Sequence, residues 1–314
     1  MLFSFLRGYY LPTVIVVHPY FIITGRRNPM MKGKLLIFLA IVFFSTQLAA
    51  QELTGTLAQI KTSGKIRIGY RETEPPMSFL NKDKNPAGYS VDVCNCIADA
   101  VQKKIGAHIK VDYVPVTAEG RFKALSDNKI DILCDSTTKT LSRSEIVDFT
   151  QLTFVTGASL MTLAQNSARD SGFAGKKIGV VKGTTTVDAL KELLRETATK
   201  AEVVLFSSAD EAVVALRSKK IDAFSSDQIV LIGMALKEKD PNTFDIDPTA
   251  FSFEPFALAV RRNDADFRLV ADREISALYR SKKILGIYDK WIGQYTGQRL
   301  PLFEALVKLN ATPE

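Results

Sequence analysis

ALSDNKIDILCDS, residues 124–136, occurs twice in this chain in altered form. ALRSKKIDAFSSD, residues 215–227, aligns with it at a spacing of 91, and five of the thirteen positions are identical. Each copy reads as the end of a helix, a polar turn and a short apolar strand. A second pair keeps the same order: KIRIGYRET (65–73) answers KIGVVKGTT (177–185) at a spacing of 112. The first copy therefore holds about 21 extra residues, most of them in TEPPMSFLNKDKNPAGYS (73–90), a Pro- and Gly-punctuated hairpin. Around these anchors, strands and helices alternate. KIRIGY (65–70) is a buried strand, and 91–104 is a helix with Val91, Cys94, Ala98 and Val101 on one face. IKVDYVPV (109–116) is a strand, EGRFKALSDN (119–128) a short helix and KIDILC (129–134) a third strand. Such alternation predicts an α/β chain with parallel, helix-covered sheets, and its repetition predicts two similar βα lobes.

FVTGASLMT (154–162) and FEPFALAVRR (253–262) are β-rich and bracket the second copy. They are expected to be paired crossings, with helices Asp266–Ser281 and Lys283–Trp291 returning to the first lobe. The predicted division is residues 51–157 plus 255–314 for lobe 1 and 158–254 for lobe 2. Two strands shared between two lobes form a hinge, because a few backbone torsions there reorient a whole lobe.

Composition excludes several classes. The formal charge of +7 comes from 41 basic and 34 acidic residues, but five of the basic ones lie in residues 1–50, where there is no acid. The remaining chain holds 36 against 34, or +2, which is no footprint for nucleic acid or an anionic membrane. Residues 1–50 read as a leader and signal peptide. Lys32 and Lys34 precede the apolar run Leu35–Phe44, and Leu48-Ala49-Ala50 offers small residues for cleavage near 50. Residues 1–30 read as leader upstream of a start at Met30 or Met31. Export places the protein in an oxidising compartment, the periplasm, where either Cys94 or Cys96 can pair with Cys134 and leave one free thiol. Three cysteines and, beyond residue 50, the single histidine His108 leave little for a zinc site. No metal, cofactor or catalytic residue is expected.

Ligands of open parallel sheets bind beyond the carboxyl ends of strands. Four strand ends qualify: Tyr70-Arg71-Glu72, Asp135-Ser136-Thr137-Thr138, Ser225-Ser226-Asp227, and Gly183–Thr186 opening a helix. The hydroxyl run of CDSTTKTLSRSEIVDF (134–149) leads to Arg143. Arg143 can grip a carboxylate through two parallel hydrogen bonds, and a helix start at Gly183–Thr186 favours the same group. Asp227, Ser136 and Thr138 suit an ammonium. Each feature has a plainer explanation: Arg143 as a surface arginine, Asp227 as a helix cap. Their combination on facing lobes describes a site for an α-amino acid.

YRETEPPMSFL, AGYSVDVCNCIADAV, GRFKALSDNKIDILCDSTTKTLSRSEIVDFT, GKKIGVVKGTTT and IDAFSSDQ, in this order, resemble the periplasmic polar-amino-acid-binding proteins of ABC importers (solute-binding protein family 3), closest to the glutamate/aspartate-binding branch. The resemblance covers about residues 53–295. It implies a type II periplasmic-binding-protein fold, two βα lobes joined by two hinge crossings, and a monomer that hands its ligand to an inner-membrane ABC permease. Arg143 and Thr185 would hold the α-carboxylate. Ser136, Thr138 and Asp227 would hold the α-ammonium, and Arg71 and Arg121 would meet a side-chain carboxylate. The branch has a serine at Ala118 and a histidine at Ala209, so two polar partners are missing here. If Arg71 or Arg121 instead pairs with a protein carboxylate such as Glu72 or Glu119, the preference for an acidic side chain disappears. The alternatives are a broader-specificity or neutral amino-acid-binding protein, or an enzyme like the cyclohexadienyl dehydratases that share the fold, with Glu72, Glu74 or Glu119 as its acid or base.

Overall fold

Two five-stranded sheets carry the chain, each built around one of the repeated strands. The computed structural model describes residues 52–166, 172–240, 242–293 and 299–314, so the leader and signal peptide expected over 1–50 lie outside the described residues. In the first sheet β1 (Lys65–Tyr70) is an interior strand. It pairs in parallel with β5 (Lys110–Pro115) on one side and β6 (Ile132–Leu133) on the other. The chain enters through α1 (Gly55–Ser63); parallel neighbours require crossovers, and two further helices supply them: α2 (Tyr89–Ile105), and the short α3 (Arg121–Ser126). The full order is β5-β1-β6-β13-β7, where β7 (Val147–Thr156) and β13 (Glu254–Arg261) run antiparallel to one another.

The second sheet repeats the scheme in the order β10-β9-β11-β8-β12. Its interior strand β9 (Lys177–Val181) lies parallel to β10 (Glu202–Phe206) and β11 (Ala223–Asp227). β8 (Ala158–Leu163) and β12 (Phe244–Ile246) close it in antiparallel fashion. Helices α4 (Thr186–Glu196), α5 (Ala209–Arg217) and α6 (Gln228–Ala235) belong to this half. The expected α/β fold with two βα lobes and two crossings is what the chain adopts.

The crossing expected over 154–162 is two strands rather than one. Gly157 separates β7 from β8, and a side chain there would lie 2.3 Å from the carbonyl oxygen of Ser252 on the returning segment. Only glycine lets the two crossings touch. Helix α2 is longer at its start than the 91–104 expected, and ends at Gly106 in the left-handed conformation. Cys94 lies on its buried face and is bonded to Cys134, whereas Cys96, about 200° around the helix, is free and half-buried. The bridge ties α2 to the residue just before Asp135. The segment 73–90 is a three-stranded meander, β2 (Thr73–Glu74), β3 (Ser78–Leu80) and β4 (Pro86–Ala87).

Beneath the first sheet an aromatic cluster joins the crossings to the C-terminal helices, α7 (Ala265–Arg280), α8 (Lys283–Tyr288) and α9 (Pro301–Leu309). Tyr288 and Phe303 stack at 4.2 Å, and Phe154 packs on both and on Phe256. The buried hydroxyls of Tyr89 and Tyr279 both donate to the Thr153 carbonyl, so burial leaves neither unsatisfied. Among the described residues no helix is long and apolar enough to cross a membrane.

Candidate functional site

The carboxyl ends of β1, β6, β9 and β11 meet at one cavity between the two sheets. All seven residues singled out from the sequence line it: Arg71, Arg121, Ser136, Thr138, Arg143, Thr185 and Asp227. Glu74, Asp135 and Ala209 share its wall. The space is narrow. It has room for about one water molecule.

Three arginines enter from the first half. Arg71 directly follows β1 and is 4% exposed; its guanidinium lies 2.8 Å from the Glu74 carboxylate. The other Glu74 oxygen accepts from the Ser136 hydroxyl. Arg121, 3% exposed, donates to the Thr137 hydroxyl at 2.9 Å and to the carbonyls of Ala118 and Gly183. Burial brings its pKa down to about 10, against the pull of Asp135, so it remains a cation at neutral pH. Arg143 donates to the Thr138 carbonyl at 2.8 Å and reaches the Gly183 carbonyl at 3.4 Å, with Phe122 under it at 5.4 Å. Its pKa is also lowered, again chiefly by burial.

Arg71 and Arg121 are expected to meet a ligand carboxylate, with Glu72 or Glu119 as examples of protein carboxylates that could take their place; protein carboxylates do face both arginines, but they are different ones. Glu119 pairs with Lys182 at 2.7 Å. The carboxylates facing the arginines are Glu74 and, at 3.7 Å from Arg121, Asp135. Ala118 is buried beside Arg121 and Ala209 lines the cavity, each without a polar side chain to add.

The acidic side has a distinctive chemistry. Asp227 ends β11 and stands at the N-cap of α6, yet its side chain caps nothing. Among the described residues, the fully buried side-chain oxygens without a hydrogen-bond partner belong to Asp135 and Asp227, both on this cavity. Burial, then the charges of Glu254 and Glu74, push the Asp227 carboxyl well above the usual carboxylate range, against Arg143 and Arg121. An unpartnered buried carboxyl is unfavourable unless a donor reaches it.

Glu254, at the start of β13 in the crossing, escaped the sequence reading. It accepts from Thr138 at 2.6 Å and from Thr185 at 2.7 Å, one hydroxyl from each half. A lone glutamate in a β-rich run carries no local signal of such a role. Asp135 was legible as a strand end, but its place beside Arg121 was not. Thr185 caps α4 without a side-chain cap bond, because its hydroxyl is given to Glu254.

Comparison with known proteins sets this geometry in context. The family described as bacterial extracellular solute-binding proteins, family 3, matches residues 66–294. The L-glutamate/L-aspartate-binding protein of Pseudomonas aeruginosa is 33% identical over 277 residues, 86% of this chain and 92% of that protein. The glutamate/aspartate import solute-binding protein of Escherichia coli is 29% identical, over 77% of this chain and 81% of its own. Among solved structures, a periplasmic binding protein from Brucella ovis with glutathione bound superposes with a TM-score of 0.67 at 28% identity, covering 83% of this chain and 81% of that one. An ancestral amino-acid-binding protein, a precursor of cyclohexadienyl dehydratase, does so at 0.66 and 26%, covering 76% and 99%.

Proposed function

The chain belongs to the bacterial extracellular solute-binding proteins of family 3, and from that premise we propose that it captures an L-amino acid, glutamate or aspartate, in the periplasm and delivers it as a monomer to an inner-membrane ABC permease. Residues 51–157 with 255–314 move as one lobe against 158–254. The α-carboxylate sits on Arg143, Thr185 and the start of α4. The α-ammonium sits on Asp227, Ser136 and Thr138, and the side chain points at Arg71 and Arg121. The observation that carries this reading is the buried, unpartnered oxygen of Asp227 in the same cavity as Arg143: one group wants a donor, the other an acceptor, and an α-amino acid brings both.

A cavity with room for one water admits an amino acid only when its walls part. The contacts that separate include Lys182 with Glu119, Thr185 with Thr138 and Glu254, and the Gly183 carbonyl with Arg121 and Arg143. A ligand that bridges the halves favours the closed arrangement and shifts the population toward it. Calorimetric titration against the twenty amino acids tests the reading. Saturable binding of glutamate or aspartate is expected, and no heat with any amino acid overturns it.

Closure also needs bare backbone on α6. A side chain at Gly233 would lie 2.2 Å from the Pro75 carbonyl oxygen and 2.8 Å from a Pro76 ring carbon. Gly233→Ala is therefore expected to weaken binding of every amino acid by about 5- to 150-fold, the equivalent of an overpacking strain of about 1–3 kcal/mol. The ligand-free protein, with its halves apart, should melt no lower than wild type, because alanine is the better helix former. A lower melting temperature with unchanged affinity would contradict the assignment of this contact to closure.

A second reading is acid–base chemistry at Glu74, which lies in the cavity, and the likeness to a dehydratase precursor favours it. Consumption of a cyclohexadienyl acid by the purified protein would replace the binding reading.

A further inference from the structure

We propose that Glu74 is a specificity-determining residue: an internal competitor for Arg71 that weakens the preference for an anionic side chain. The inference rests on the amino-acid-capture reading and deepens it. Arg71 and Glu74 are almost wholly buried, with side chains 5% and 7% exposed, and their closest atoms are 2.8 Å apart. Glu74 is held from both sides. Its second oxygen accepts from Ser136, and its carbonyl accepts from the Met77 amide at 2.9 Å, which fixes the turn through Pro75 and Pro76. The carboxylate is therefore already on Arg71 before a ligand arrives.

A ligand carboxylate arriving at Arg71 meets a guanidinium whose charge is already matched, with a second carboxylate beside it. In a buried cavity the like charges repel strongly, so the added anion gains little from Arg71. Arg121 differs. Its carboxylate, Asp135, stands at 3.7 Å and makes no hydrogen bond to it, and both Asp135 oxygens lack a hydrogen-bond partner. Arg121 is the guanidinium left to meet a side-chain acceptor. The cavity wall thus sets three arginines against Glu74, Asp135 and Asp227, with Glu254 behind the hydroxyls of Thr138 and Thr185, a balance that tolerates an amide as well as an acid. Wild-type protein should then bind glutamine within about tenfold of glutamate, closer than the ~30-fold or more expected from unpaired arginines.

Glu74→Gln keeps the shape and the acceptor for Ser136 while removing the charge. Titration of the full chain with glutamate and with glutamine should show glutamate tightened at least about tenfold and glutamine moved by less than about threefold. Glu74→Asp, which keeps the charge, should leave the glutamate-to-glutamine ratio near wild type. Arg71→Met, which leaves Glu74 without its counter-charge, should weaken glutamate more than glutamine. Equal shifts for both ligands in Glu74→Gln, or a loss for glutamate alone in that variant, overturn the proposal while leaving amino-acid capture standing. Failure of wild-type protein to bind either ligand overturns the capture reading, and this proposal with it.

Discussion

Arg143→Ala is expected to lower the affinity for every amino acid by a similar factor, about 30-fold to several thousand-fold. The range corresponds to the roughly 2–5 kcal/mol lost when one partner of a buried, hydrogen-bonded charge pair is removed. Arg143 is oriented before any ligand arrives: one nitrogen donates to the Thr138 carbonyl at 2.8 Å, and the guanidinium rests over Phe122. Arg143 lines the cavity together with Thr185 and the start of α4, where a carboxylate also gains from free backbone amides. The α-carboxylate is common to all amino acids, so the loss should be uniform. Titrating the variant with glutamate, glutamine and alanine distinguishes the outcomes. A loss confined to glutamate would place Arg143 at the side-chain end instead.

The second large effect concerns protons. Asp227 is buried and its carboxyl is pushed well above the usual carboxylate range, so the ligand-free protein holds a proton there at a pH where an exposed aspartate has lost it. An ammonium requires the carboxylate. Binding should therefore strengthen as pH rises through the elevated pKa, by up to about tenfold per pH unit, and level off above it. Stability without ligand runs the other way. The contribution of a group with a raised folded-state pKa is complete below its unfolded value and is lost as pH climbs through the folded one. Asp227→Asn should abolish both trends and weaken amino-acid binding at high pH by about 30-fold or more. Titrations and melting curves from about pH 5 to 9 read both. An affinity that is flat over that range in wild type would mean that Asp227 is already ionised in the ligand-free protein.

Much of this was legible because it depends on local pattern. The repeat of 124–136 at 215–227 marks two copies of one strand–helix unit, and each copy ends a strand at the cavity. Arg71, Ser136, Thr138, Thr185 and Asp227 follow from the rule that ligands gather beyond strand ends, and in the structure they line one space with Arg121 and Arg143. What escaped depends on partners far away in the chain. Glu254 meets Thr138 across a separation of 116 residues and Thr185 across 69. Asp131 is another case: it is bound by Arg67 and Arg261 at 2.7 and 3.0 Å, and no spacing pairs these three.

The order of residues alone determined the elements, their repetition and the kinds of group brought to the strand ends, since hydrophobic periodicity and turn chemistry act over a few neighbours. Tertiary structure decided the pairings. It put Glu74 rather than Glu72 on Arg71, Asp135 beside Arg121, Cys94 rather than Cys96 on Cys134, and one buried Asp227 oxygen on the cavity without a hydrogen-bond partner. A charge's partner and the water around it are set by which distant segments pack together, and the strength of every interaction in the cavity follows from that packing.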